Sequence, residues 1–125
     1  MGSSVDHLIA GIGVRNDRED DNRVKLSIAY YALPNGLSCE PSACKIVPSS
    51  IFSEDGGISW HKAEKLTSPM FQDWLVPTSA GSMVANYNSV VFVDGEPHGA
   101  FAIADPPNRK TGEIDEAIFA GKLPD

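Results

Sequence analysis

The chain is short of cysteine, of tryptophan and of basic side chains, and each shortage narrows what it can be. Its only cysteines are Cys39 and Cys44. A structural zinc site takes four ligands, and one Cys-x4-Cys pair with scattered His7, His61 and His98 does not provide that spacing. The pair suits a small loop disulfide, with two free thiols as the alternative. A bond there would place the protein in an oxidising compartment. Lys and Arg total 10 against 17 Asp and Glu, a net charge of −7. Such a surface repels phosphate, which argues against nucleic acid and against docking on an anionic membrane. No apolar run approaches the roughly 20 residues that span a bilayer. Met1-Gly2-Ser3-Ser4 lacks a basic segment leading into an apolar one, so no signal peptide is expected, and residues 1–6 are set aside as a disordered start or cloning scar.

Several catalytic patterns are absent too. Gly11-Ile12-Gly13 lacks the third glycine of a dinucleotide loop and opens no helical pattern. There is no Gly-x-Ser-x-Gly elbow. The acidic residues of 15–23 do not have calcium-loop spacing and read as a solvated hairpin tip. No metal site and no cofactor are expected.

What the chain does have is strand and turn chemistry. Nine prolines and eleven glycines are spread along 125 residues, enough for one domain of many short strands. Residues 7–14 are apolar and β-branched. Over 24–33, Val24, Leu26 and Ile28 alternate with Lys25 and Ser27, the period of a strand. Pro34-Asn35-Gly36 ends that run. Residues 45–53 form a third strand, in which Pro48 implies an edge or bulge. Glu54–Gly57 turns the chain, and Ile58-Ser59-Trp60 is expected to start a fourth strand. Residues 67–82 read as a linker. The pattern then resumes with strands at 83–93, 97–104 and 116–121, the first two joined by the Asp94-Gly95 turn. The expected fold is all-β: a four-stranded antiparallel meander over 7–66, a linker, and over 83–123 a second meander lacking its outer strand. Four-stranded meanders are the blades of propellers.

Ser53-Glu54-Asp55-Gly56-Gly57-Ile58-Ser59-Trp60 fits Ser-x-Asp-x-Gly-x-[Ser/Thr]-Trp. Glycine permits positive φ, the Asp55 carboxylate accepts turn amides, and Trp60 covers the turn. The segment resembles the Asp box, or BNR repeat, of sialidases and related propellers. The wider chain, from about His7 to Leu123, resembles the C-terminal part of secreted bacterial sialidase-like BNR proteins. The resemblance implies about two blades of a partial sialidase-type β-propeller. It makes Ser53, Asp55, Gly57, Ser59 and Trp60 structural rim residues. It implies an extracellular or periplasmic location.

The resemblance also implies the chemistry. Retaining sialidases use a tyrosine nucleophile. Tyr87, before Val90–Val93 and the Asp94-Gly95 turn, matches that position, with Asn88 inserted before Ser89. The family's three substrate-gripping arginines have no matching context in Arg15, Arg18, Arg23 or Arg109. Its acid/base aspartate belongs to an earlier blade, and Asp105 is the stand-in for its tyrosine-assisting glutamate. The expected function is therefore part of a sialidase-like glycoside hydrolase acting on sialylated or related glycans, inactive alone. The alternative is a non-catalytic glycan-binding or structural BNR module that oligomerises. Tyr30, Tyr31, Trp60, Trp74 and Tyr87 are candidates for stacking on sugars. The expected partners are a glycan and further propeller blades or other copies of the chain, because two blades leave apolar faces uncovered. A lone monomer is expected to be marginal or aggregation-prone.

Overall fold

The strands found in a computed structural model follow the alternation and the turn residues. It describes residues 6–16, 24–34, 39, 40, 42–78, 81–83 and 88–125. The first sheet runs β1 (Asp6–Asn16), β2 (Val24–Leu33) and β3 (Lys45–Ser53), each antiparallel to the next. Its fourth position is filled by β4 (Glu64–Lys65) and β5 (Met70–Phe71), both paired with β3. A 3-10 turn (Gln72–Trp74) leads to a hairpin of β6 (Val76–Thr78) and β7 (Gly81–Met83). The second sheet has β9 (Glu96–Asp105) between β8 (Ser89–Val93) and β10 (Asp115–Lys122), all antiparallel. The chain is thus all-β with antiparallel sheets.

Two details differ from expectation. Residues 58–63 are not strand, so the fourth strand of the first sheet begins at Glu64 rather than at Ile58. It is also broken. From Ile46 to Ser49 β3 advances three residues, while the opposite side advances five, from Lys65 to Met70. Pro48 sits against that break. Its carbonyl accepts the Leu66 N–H at 2.8 Å, and the amide hydrogen it lacks is not needed in a gap between two short partners. The expected irregularity at Pro48 therefore lies in the partner strand. Residues 67–82, which read as loop, contain β5, β6 and the start of β7, and the strand expected at 83–93 is divided: Met83 ends β7, Asn88 is not strand, and β8 begins at Ser89.

The alternation along β2 places Val24, Leu26 and Ile28 together, but the more deeply buried face is Ser27, Ala29, Tyr31 and Leu33. Small residues let the second sheet approach there. Gly11 and Gly13 of β1 share that face, and a side chain on either would collide with the second sheet's approach: a Cβ on Gly11 would meet the Asn88 main chain just before β8, and one on Gly13 would lie 2.7 Å from the Val90 side chain. Ala29 packs with Val90 and Leu123, flanked by Leu66 and Phe101. Tyr31, Leu33, Ile46, Met70 and Leu75 pack with Ala102 and Ala104.

Tyr31 locks the sheets together. Among the described residues, β8 pairs with β9 from Glu96 to Ala100, short of Ala102. The Tyr31 hydroxyl donates to the Ala102 carbonyl at 2.8 Å and accepts its N–H at 2.9 Å. The Ala104 N–H meets the Met70 sulfur. Two side chains thus satisfy main-chain groups that burial would otherwise leave unpaired.

Each sheet also exposes apolar side chains on its far face, on the second sheet among Glu96, His98, Glu116 and Lys122. Ile12 and Val14 stand 56% and 59% exposed on the first, and Val91, Val93 and Ile118 are exposed on the second. The tight turn expected at Asp94-Gly95 is present, with φ of 49° and 83°. The Arg15 guanidinium lies against it.

Candidate functional site

The Ser53–Trp60 turn is held almost wholly by its own side chains. The Ser53 hydroxyl donates to Asp55 Oδ1 at 2.9 Å and accepts the Gly57 N–H at 2.9 Å. Asp55 Oδ1 accepts the Ser59 N–H at 2.8 Å, and Oδ2 accepts the Ser59 hydroxyl. These donors, led by the Ser59 hydroxyl, hold the Asp55 carboxyl down to about 2. Trp60 Nε1 donates to the Gly57 carbonyl at 3.1 Å, so the indole covers the turn. Gly56 and Gly57 have φ of 72° and 92°, a region that glycine enters without steric cost. The Gly56 N–H donates to the Val24 carbonyl and ties the turn to the start of β2. Both oxygens of Asp55 accept hydrogen bonds from this turn.

Cys39 and Cys44 are joined in a disulfide, which resolves the alternative left open by their spacing. Cys44 is buried, and its carbonyl accepts the Gln72 N–H at 3.0 Å. A disulfide suits an oxidising, extracellular-type environment. No helix is long and apolar enough to cross a membrane, among the described residues.

The expected nucleophile Tyr87 lies outside the described residues, as do Arg18 and Arg23. Its neighbour Asn88 has a structural task. The Asn88 amide donates to the Ile9 carbonyl at 2.7 Å, at an irregularity of β1 where Ile9 has φ of 53°. Of the aromatics flagged for sugar stacking, Tyr31 is fully buried, and its phenol is pushed up to about 12 by burial. That is the opposite of an activated nucleophile. Tyr30 packs edge-on against the His7 ring.

Trp74 has a different setting. It borders a cleft of about 450 Å3 beside the junction of the two sheets, together with Phe119 and Ile103. Phe71 meets Trp74 edge-on with centroids 5.1 Å apart, which fixes the indole. Thr67, Ser68 and the exposed Asp105 supply polar groups on the same walls. The cleft thus joins aromatic surface to a carboxylate and two hydroxyls, the combination that binds a sugar ring by one face and its hydroxyls by the edge. Asp105, considered from the sequence as a stand-in for a carboxylate, belongs to it. Phe119 is the member that sequence reasoning missed: inside Glu116–Gly121 it reads only as a strand residue. Among the described residues, no group of three or more His, Cys, Asp or Glu could hold a metal ion. No family model matches the chain, and no curated protein or solved structure matches it.

Proposed function

We propose that this chain is part of a sialidase-like Asp-box propeller and contributes carbohydrate recognition to it rather than catalysis. The observation that carries the reading is the cleft in which Trp74 and Phe119 stand beside Asp105. The indole face and the phenyl ring take the apolar face of a pyranose. Asp105, Thr67 and Ser68 take its hydroxyls. Two further observations support a propeller setting. The Ser53–Trp60 turn is a self-contained Asp-box hydrogen-bond network, and each sheet exposes large apolar side chains on its outward face, which neighbouring blades would cover.

The described residues favour binding over hydrolysis. The buried phenol of Tyr31 is held protonated and hydrogen-bonded. Arg15 lies against the Asp94-Gly95 turn and Arg109 belongs to the turn after β9. Hydrolysis in this chain would rest on Tyr87.

The test is a titration of Trp74 fluorescence with sialyllactose and with neutral galactosides. Trp60, the other tryptophan of the chain, is replaced by Phe so that Trp74 alone reports. Binding with Kd on the order of 1 mM, about −4 kcal/mol, is expected; it should be weakened in Asp105→Asn by the same signal, and lost in Trp74→Ala when read by calorimetry, which needs no tryptophan. No saturable change with any of these sugars would refute the recognition role. Release of sialic acid that disappears in Tyr87→Phe would refute the non-catalytic one.

A further inference from the structure

The edges of the two sheets are guarded unequally. On the first sheet, β4 and β5 are two residues each and out of register with one another. At the other side, β1 is interrupted by the register irregularity between Leu8 and Gly11. Short, broken or covered edges are how proteins prevent unwanted strand pairing. β10 has none of these devices. It runs eight residues, pairs among the described residues with β9 on one side only, and carries neither proline nor charge from Ala117 to Gly121. Ile118 is 71% exposed on it and Phe119 45%.

We propose that the free edge of β10 is a self-association surface, on which a second copy of this chain pairs antiparallel about a two-fold axis at Phe119. The register follows from backbone direction and charge. Asp115, Ala117, Phe119 and Gly121 direct their main-chain groups at β9, because the Leu123 N–H, in phase with them, donates to the Pro97 carbonyl. The N–H and C=O groups of Glu116, Ile118, Ala120 and Lys122 therefore point outward. A two-fold axis perpendicular to the sheet sets residues of the same face opposite one another. With Phe119 at the axis, Ile118 of each copy faces Ala120 of the other, and Glu116 faces Lys122. Shifting by two residues in either direction keeps the hydrogen-bond phase but sets Glu116 against Ala120, or Lys122 against Ile118. Only the register centred on Phe119 pairs acid with base, twice by symmetry.

Both charged groups have capacity for this. The Glu116 carboxylate uses Oε2 for the Val76 N–H and keeps a second oxygen. Lys122 gives one bond to Glu96 and has three hydrogens to donate. The self-complementary charge order, acid at the start of β10 and base at its end, is the reason for a second copy rather than an unrelated strand.

The test uses the chain's own thiol chemistry. Both native cysteines are bonded to each other, so an introduced cysteine is the sole free thiol. Phe119→Cys, directly opposite itself at the axis, is expected to give a covalent dimer on mild oxidation. Ala117→Cys faces Gly121 and is expected to give little. By light scattering the unmodified chain should be dimeric, and Ala120→Pro should be monomeric. That proline removes an outward N–H and leaves the β9 ladder whole, which an unchanged circular dichroism spectrum would verify. Lys122→Glu should weaken the dimer at least tenfold, and adding Glu116→Lys should restore it. A monomer at every concentration would overturn the proposal. So would an assembly that survives Ala120→Pro in folded protein, or equal cross-linking at positions 117 and 119. Should Ala120→Pro unfold the chain, the cross-linking pair and the charge swap decide the question alone.

Discussion

Tyr31→Phe is the most informative single substitution in this molecule. Phenylalanine keeps the ring in a site with no solvent exposure, so little packing is lost. It removes the hydroxyl that donates to the Ala102 carbonyl and accepts the Ala102 N–H. Both main-chain groups then lose this partner, and among the described residues no strand pairs with β9 at Ala102 on that side. A buried polar group left unpaired costs about 1–3 kcal/mol, and two that relax partly together about 2–4 kcal/mol. In a domain whose whole stability is about 5–15 kcal/mol that is a large fraction. The melting temperature should fall by about 8–16 °C, at roughly 4 °C per kcal/mol for this size. Urea denaturation followed by circular dichroism measures the free energy directly. Tyr30→Phe is the control, because Tyr30 is only half-buried and its ring contact with His7 survives the change. A loss for Tyr31→Phe of less than about 0.5 kcal/mol, the range of an ordinary surface change, would refute the claim that this hydroxyl substitutes for a strand. The same residue gives a pH signature. Its folded pKa lies near 12 against an ordinary value of 10.0, so the protonated phenol favours the folded state. That contribution is intact below pH 10 and is lost as pH rises toward 12. Tyr31→Phe should lose less stability than the unmodified chain across that window.

Four further expectations follow from other parts of the structure. Gly11→Ala places a Cβ 2.5 Å from the Asn88 carbonyl oxygen, a main-chain atom that cannot swing away, and should cost about 1–3 kcal/mol by thermal melting. Gly121→Ala meets open space and should change stability by no more than about 0.5 kcal/mol. The Asp55 carboxylate, lowered from 3.8 to about 2, supports its turn fully above pH 3.8 and loses that support as pH falls through about 2. The Ser59 amide resonance should therefore titrate near 2, and in Ser59→Ala the midpoint should move up toward 3.8. Reducing the Cys39–Cys44 bond, which closes a loop of sequence separation 5, should cost about 2 kcal/mol on the chain-entropy model, read as a lower melting temperature in reductant.

What could be read in the sequence was what short-range chemistry decides. Period two in Val24–Leu33 marked β2, glycine after aspartate marked the turn at 94–95, and eight consecutive residues carried the network around Asp55. What could not be read depended on contacts between distant segments. Ser27 is polar yet fully buried, because its small side chain allows the second sheet to come close. Tyr31 reads as a strand aromatic, and its pairing with Ala102 has no local trace. The fourth strand of the first sheet starts late because the 53–60 turn ends in a covering indole, after which a single bond from the His61 N–H to the Phe52 carbonyl precedes the ladder at Glu64. The cleft was half visible. Trp74 and Asp105 stood out as residue types, but their meeting with Phe119 is a product of how β10 lies beside β9.

The bonds of the Asp-box turn and the bonds of Tyr31 differ in how much chain each must gather. Asp55 reaches partners no more than four residues away, whereas the Tyr31 link to Ala102 spans 71. Loop closure grows as the logarithm of length, so the longer link carries about 2–3 kcal/mol more entropic cost. The β2–β3 sheet and its turn are therefore expected to form early, and the docking of the two sheets late. In a kinetic experiment, Tyr31→Phe should then mainly speed unfolding, while Ser59→Ala, inside the turn, should slow folding. Between those two events the faces that the native chain buries between its sheets are uncovered as well, in addition to the apolar side chains that the folded chain already exposes.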